Sequence, residues 1–245
     1  MFDLSGKTAL VTGAGQNVGA GIAHALAAQG ATVVVNDVVA DRAEATVAAI
    51  REHGGAASAS VFDVTDLAAV ESAVAAIGRI DILINNAGNA GAQAMGVTRF
   101  VEMSPEQWDA PIRVNLYGVL NCCHATVGRM VDAGWGRVVT ISSGAGTAGV
   151  DIGVSPYSAG KGGGIAFTRT LALEVARSGV TANSLAIGLM GVRDESVTGK
   201  LARGIPVGRV GTPEDIAAAC VWLASEEASW VTAQTIQING GSVAT

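Results

Sequence analysis

Lys7-Thr8-Ala9-Leu10-Val11-Thr12-Gly13-Ala14-Gly15-Gln16-Asn17-Val18-Gly19 reads as a short apolar strand that turns over glycines into a helix. The next apolar run, Ala31–Asp37 (ATVVVND), is rich in β-branched residues and reads as a second strand ending on a carboxylate. Glycines between a strand and a helix allow a tight turn. They also let backbone N–H groups approach an anion at the helix N-terminus.

Working outward, similar runs recur at Ala56–Phe62, Ile80–Asn85, Gly136–Ser142, Val180–Ala186 and Thr235–Ile238. Between them, alanine-rich amphipathic stretches predict helices over Gly19–Gln29, Asp41–His53, Asp66–Ile77, Pro105–Ala133, Tyr157–Ser178 and Pro213–Ala224. Asp66, Ser104-Pro105 and Thr212-Pro213-Glu214 supply helix starts. Alternation of strands and helices, with strands apolar on both faces, indicates a parallel sheet covered on both sides. The expected fold is α/β: a doubly wound (Rossmann) sheet of about seven parallel strands with helices on both faces, residues 1–245 forming a single domain.

Composition narrows the function classes. Of 245 residues 49% are apolar and only 4% aromatic, a profile that suits close-packed small interfaces. The net charge of −6, with no lysine/arginine cluster, speaks against nucleic acid or an anionic membrane as partner. No run reaches the ~18 apolar residues of a membrane span, and the N-terminus lacks a signal pattern, so a cytoplasmic location is expected. Cys122, Cys123 and Cys220 suggest reduced thiols without a disulfide framework. His24, His53 and His124 lack ligand spacing, so no metal site is expected.

Asp37 stands about 20 residues after the glycine turn, where a carboxylate can bind both hydroxyls of an adenosine ribose. The same charge repels a 2′-phosphate, and Gln16 and Val38 bring no cation to hold one, so NAD is expected in preference to NADP. Asp63-Val64 and Asn85-Asn86-Ala87-Gly88 close the third and fourth strands at the edge where such sheets bind ligands. Asp63 either accepts from the adenine amino group or caps the helix near Asp66. Asn-Asn-Ala-Gly either touches the cofactor or serves as turn chemistry. Further along, Tyr157 and Lys161 lie four apart on one helix face, after a Ser142-Ser143 pair. A phenol loses its proton only near pH ~10, and a neighbouring ammonium is expected to draw it toward working pH for acid–base catalysis.

The glycine turn, Asp37, Asp63-Val64, the Asn-Asn-Ala-Gly run, Asn115, Ser143 and Tyr157-x-x-x-Lys161 together resemble the short-chain dehydrogenase/reductase family. The likeness extends from the first strand through Gly208–Asp215 to Asn239-Gly240-Gly241. It implies that Tyr157 exchanges a proton with the substrate oxygen while a hydride moves to or from nicotinamide. Lys161 would lower the tyrosine pKa and hold the nicotinamide ribose, and Ser143 would hydrogen-bond the substrate oxygen. Asn115 would anchor a water relay through Lys161. Cofactor contacts are implied at Gly13, Gln16, Asn17, Val18, Gly19, Asp37, Asp63, Val64, Asn86, Ala87, Gly88, Tyr157, Lys161, Gly188 and Met190. Ser142 is the alternative serine, since Ser143 leaves a spacing one residue longer than usual, read as an insertion within Val150–Pro156.

The chain departs from the pattern at Asn17, which replaces a glycine, at Ile187-Gly188 instead of Pro-Gly, and at Val192 instead of threonine. Gly162-Gly163-Gly164 inside the catalytic helix costs ~1 kcal/mol per glycine relative to alanine, which suggests a closely packed backbone. In the family that helix pairs with another subunit, so a homotetramer is expected, with packing inside one subunit as the other reading. Asn89–Phe100, Gly144–Ser155 and Leu189–Gly204 are the substrate segments, the last a lid (about 189–204) or a solvated helical excursion. The leading reading is an oxidoreductase acting between NAD(H) and a small-molecule secondary alcohol or ketone. The alternatives are a 3-oxoacyl thioester reductase and a catalytically silent nucleotide-binding scaffold.

Overall fold

The computed structural model describes residues 1–89, 96–191 and 195–244. β1 (Thr8–Val11), β2 (Thr32–Asp37), β3 (Ala56–Val61), β4 (Ile82–Asn85), β5 (Gly136–Ser143), β6 (Val180–Ile187) and β7 (Thr235–Ile238) form one parallel sheet. Its order is β3-β2-β1-β4-β5-β6-β7, with β1 pairing both β2 (Val11↔Val35) and β4 (Val11↔Ile84). Alternate side chains point to opposite faces, which is why continuous apolar strands are needed. Ala9 and Val11 join a core with Ile22 and Leu26 of α1 (Asn17–Ala28), Val47 and Ile50 of α2 (Ala40–Glu52), and Ile216 and Cys220 of α8 (Pro213–Ala224). Leu10 joins the other core, with Val70 and Val74 of α3 (Leu67–Ile77) and Val119 and Val127 of α5 (Gly118–Ala133). Each fully buried aliphatic side chain of this kind contributes roughly 1.5–3 kcal/mol.

The seven strands and the helices at the expected places agree with the sequence to within two residues at most ends. Asp66 Oδ1 accepts from Ala69 N at 3.1 Å and starts α3. Thr212 and Asp215 form a reciprocal capping box at the start of α8 (Pro213–Ala224). One expectation fails. The stretch Pro105–Ala133 is not a continuous α-helix but α4 (Glu106–Ile112), a π-helical turn (Arg113–Tyr117) and α5 (Gly118–Ala133). Pro111 removes one N–H from the ladder, and Asn115 Nδ2 takes the Pro111 carbonyl at 2.7 Å, so a side chain replaces a helical backbone bond. The catalytic helix α6 spans Ser155–Val175 and ends in a 3-10 turn, Ala176–Ser178. Within Leu189–Gly204 a short helix, α7 (Glu195–Ala202), matches the helical excursion, while Val192, Arg193 and Asp194 lie outside the described residues.

The loops after β1, β4, β5 and β6 emerge on one edge, and the reversal of strand order at β1/β4 opens a crevice there. The opposite edge is held by Arg137, 1% exposed, which donates to the carbonyls of Ser225 (3.1 Å), Gly136 (2.9 Å) and Gly179 (3.2 Å) and to Glu226 (3.2 Å). Its guanidinium and the Lys7 ammonium both lie over Trp135, at 4.4 and 3.6 Å from the ring centroid. Cys122, Cys123 and Cys220 are free, and burial pushes all three thiols up, Cys123 to about 12. Among the described residues no helix is long and apolar enough to cross a membrane, and no cluster has metal-ligand composition.

Candidate active site

At the β1–α1 turn the glycines are required by space. A Cβ on Gly13 would lie 2.9 Å from Ala87 Cα, and one on Gly19 would collide with the Gly13 carbonyl and lie 2.5 Å from Asn86 Nδ2. Gly13 and Asn17 both take left-handed backbone, φ +61° and +49°, so the asparagine fills a glycine position without changing the turn. Gln16 starts α1 with no side-chain cap, leaving first-turn N–H groups of α1 and the dipole to an anion. This cradle fits a pyrophosphate. Asp37 closes it from the side: its carboxylate, 6% exposed, accepts from Gly15 N (3.1 Å) and Val39 N (2.9 Å). Asp63 is exposed and closes its own turn by accepting from Thr65 N at 2.8 Å, while Asp66 does the capping. Val64 is buried, with its carbonyl bonded by Asn121 Nδ2 at 2.9 Å.

Between the cradle and the catalytic helix lies the loop after β4. Asn86 Nδ2 donates to the carbonyls of Thr12 (2.9 Å) and Gly13 (3.0 Å), and the Thr12 hydroxyl accepts from the N–H groups of Asn86 and Ala87. Gly88 passes so close to the catalytic floor that a methyl there would meet Asn115 Oδ1 at 2.9 Å and Lys161 Nζ at 3.0 Å. Asn115 is 1% exposed, and its amide clasps Asn89 through both peptide groups (Nδ2 to O 2.7 Å, N to Oδ1 3.2 Å). Beyond β6, Gly188 packs on Asn239 and donates to Ile238 O at 2.9 Å, and Met190 pairs with Gly211.

Ser143, at the end of β5, is close enough to the Tyr157 phenol to lower it, and its oxygen accepts from Ala145 N at 3.2 Å. Lys161 is buried one turn further along α6, with Nζ 2.6 Å from Ile141 O and 5.9 Å from the Tyr157 ring centroid. Ser142 is buried and donates to the Lys161 carbonyl at 3.1 Å, so it locks α6 onto β5 and leaves Ser143 as the serine facing the phenol.

The family model described as Enoyl-(Acyl carrier protein) reductase matches residues 13–243. The chain belongs to the short-chain dehydrogenase/reductase family. It is 37% identical over 250 residues to the (2S)-[(R)-hydroxy(phenyl)methyl]succinyl-CoA dehydrogenase subunit BbsD of Thauera aromatica, covering 97% of each chain. It is 37% identical to the 3-oxoacyl-[acyl-carrier-protein] reductase FabG of Escherichia coli, covering 98% of each. Among solved structures it superposes on a 3-oxoacyl-[acyl-carrier protein] reductase with bound NAD from Brucella melitensis, with TM-score 0.93, 32% identity and coverage of 99% and 94%. It also superposes on a gluconate 5-dehydrogenase from Burkholderia cenocepacia in complex with NADP and tartrate, with TM-score 0.89, 33% identity and coverage of 98% and 96%. As a short-chain dehydrogenase/reductase the protein is an NAD(P)-dependent oxidoreductase.

Two expectations about this family member change. Burial raises the Tyr157 phenol above its ordinary value, against a smaller lowering by Ser143, so the net shift in the free protein is upward and not toward working pH. Lys161 beside it is desolvated, pushed down to about 8, and directed at the Ile141 carbonyl. The glycine run of α6 is also used inside the chain. Cβ atoms on Gly160, Gly162, Gly163 and Gly164 would lie 3.0 to 3.4 Å from Pro111 O, Gly146 O, Leu116 and Asn115 O respectively. These glycines therefore give no reason for a second subunit. The sequence reading also passed over Thr12, whose hydroxyl ties β1 to the loop after β4, and Arg42. The Arg42 Cβ lies 2.5 Å from where a Gly15 Cβ would stand. Arg42 follows Asp37 by five residues and falls in the first turn of the helix expected over Asp41–His53, which the structure begins at Ala40.

Proposed function

We propose that this chain reduces ketones and oxidises secondary alcohols with NAD(H) in preference to NADP(H). The observation that carries the reading is the half-buried Ser143 and Tyr157 next to the buried Lys161, on the same sheet edge as an uncapped α1 N-terminus. When bound, the nicotinamide supplies a hydride to the carbonyl carbon or accepts one from the alcohol carbon. The phenol, kept protonated by burial, donates its proton to the carbonyl oxygen during reduction, and Ser143 holds that oxygen by a hydrogen bond. Lys161 carries its charge at neutral pH and stabilises the phenolate left behind. Asn115 is a positioning residue: with both amide hydrogens on carbonyls, it holds the loop after β4 against Lys161.

The cofactor preference rests on Asp37. Its buried carboxylate is fixed by two backbone N–H groups at the end of β2, where a 2′-phosphate would meet negative charge. Gly13, Gln16, Asn17, Val18 and Gly19 would hold the pyrophosphate. Asp63, Val64, Asn86, Ala87, Gly88, Gly188 and Met190 would flank the rest of the cofactor. Residues 189–204 would cover the substrate, and the homotetramer stays as the proposed assembly.

A thioester reading follows from the names of the 37%-identical relatives, which act on a succinyl-CoA and on 3-oxoacyl-[acyl-carrier-protein]. Against carrier-protein docking, α6 presents Leu173, 70% exposed, where an acidic partner would need a cation. The test is fluorescence titration with NADH and NADPH, followed by absorbance assays on ketones, secondary alcohols and acetoacetyl thioesters. Tighter NADPH binding refutes the cofactor preference. Full turnover by Tyr157→Phe refutes the mechanism.

A further inference from the structure

We infer that the substrate carries an apolar body, aryl or branched alkyl, beside its carbonyl, and that Phe100 stacked on Trp108 is the wall that selects it. This rests on the carbonyl-reducing reading above. Three segments leave adjacent strands at the catalytic edge: 96–103 after β4, 144–154 after β5 and 188–191 after β6. The first two are fastened together, since Thr98 N donates to Gly153 O at 3.0 Å and the Thr98 backbone fills the space of a Gly153 side chain. Gly153 stands four residues before Tyr157.

The wall's position follows from helix register. The Pro111 carbonyl lies against Gly160 and the Asn115 carbonyl against Gly164, so the α4–α5 run and α6 advance in the same direction. One turn back, that register sets Trp108 level with Tyr157. The Phe100 ring stacks on Trp108 with centroids 5.3 Å apart at 22°. On the three segments Val97, Phe100, Val150, Ile152 and Leu189 are 67%, 52%, 42%, 55% and 47% exposed. Large apolar side chains gathered at a catalytic mouth, on two segments fastened to each other and on the neighbouring strand end, mark a binding surface, whereas single ones scattered over a protein do not. Among the described residues of these segments Arg99 is the one cation, with Glu102 and Asp151 as counter-charges. A polyhydroxy acid finds little there to replace its water.

The experiment compares kcat/KM with NADH for acetophenone, 2-butanone and a keto-gluconate, in wild type, Phe100→Ser and Ile152→Ser. Acetophenone should exceed the sugar acid by about a hundredfold. Phe100→Ser should lower kcat/KM for acetophenone by roughly tenfold and for 2-butanone by less than about twofold. Both substituted residues are surface-exposed, so the variants should fold. Preference for the sugar acid, or equal loss on both ketones in both variants, overturns the inference. So does a changed oligomeric mass by light scattering with an unchanged acetophenone/2-butanone ratio, which would make the wall an interface between copies. If wild type binds NADH yet turns over no carbonyl compound, the parent reading falls and takes this one with it.

Discussion

Replacing Lys161 by methionine isolates the cost of a buried ammonium. Burial lowers this amine from 10.5 to about 8, which at about 1.36 kcal/mol per pH unit corresponds to about 3 kcal/mol. The sign follows from linkage. Below pH 8 the amine is charged in both states, and the folded state carries the whole penalty. As pH rises through 8 the folded state gives up its proton while the unfolded chain keeps it, so wild-type stability climbs until about pH 10.5. Lys161→Met lacks that titration. The hydrogen bond from Nζ to Ile141 O offsets part of the penalty at neutral pH, so the decisive quantity is the pH dependence. The difference in unfolding free energy, variant minus wild type, should fall by about 3 kcal/mol between pH 7 and about 10.5. Urea unfolding at matched protein concentration measures it, with an expected relative midpoint change on the order of 10 °C in thermal scans. A difference that does not move with pH refutes the reasoning, because an amine held in water would behave that way. The variant should also lose catalysis at every pH.

Three further outcomes follow from named contacts. In steady-state kinetics, kcat/KM for ketone reduction should bend down as Lys161 loses its proton near pH 8 and again when the raised phenol ionises, whereas alcohol oxidation should rise into the alkaline range. Gly19→Ala forces a methyl onto the Gly13 carbonyl and Asn86 Nδ2. It should weaken NADH binding by more than about tenfold in fluorescence titration and cost about 1–3 kcal/mol of stability, while Asn17→Gly, at a left-handed position, should keep both. Arg137→Met strips three carbonyls and Glu226 of their donor at the far edge of the sheet. It should cost about 3–5 kcal/mol in urea unfolding, with a change in Trp135 fluorescence and cofactor affinity preserved in the folded fraction.

Sheet and helices were legible in the chain because their apolar periods are long and their stops are chemically marked, as at Asp66 and Thr212-Pro213. The glycine turn was legible for the same local reason: a left-handed residue and a close crossing admit few side chains. What the sequence could not display depends on partners far apart in it. The interruption at Arg113–Tyr117 needs Asn115 to reach back to Pro111 and across to Asn89. The raised phenol and the depressed amine need the whole sheet around them, since desolvation belongs to a place and has no signature in Tyr-x-x-x-Lys. The glycines of α6 misled because closeness was legible while its direction was not: the crowding backbone is the chain's own, at Pro111, Asn115 and Gly146. Trp108 carried no motif, and its place beside the tyrosine turn emerges only from helix register.

The two bonds that pin the loop after β4 have a practical meaning. Asn115 grips the chain at Asn89, and Gly153 grips it again at Thr98. Up to Asn89 that loop packs on Lys161 and the glycine turn, and the aromatic wall begins after Thr98. The proton-handling groups and the wall thus stand on separate anchorages. Laboratory changes of specificity in this scaffold should start at the wall, beyond Thr98, and leave both clasps untouched.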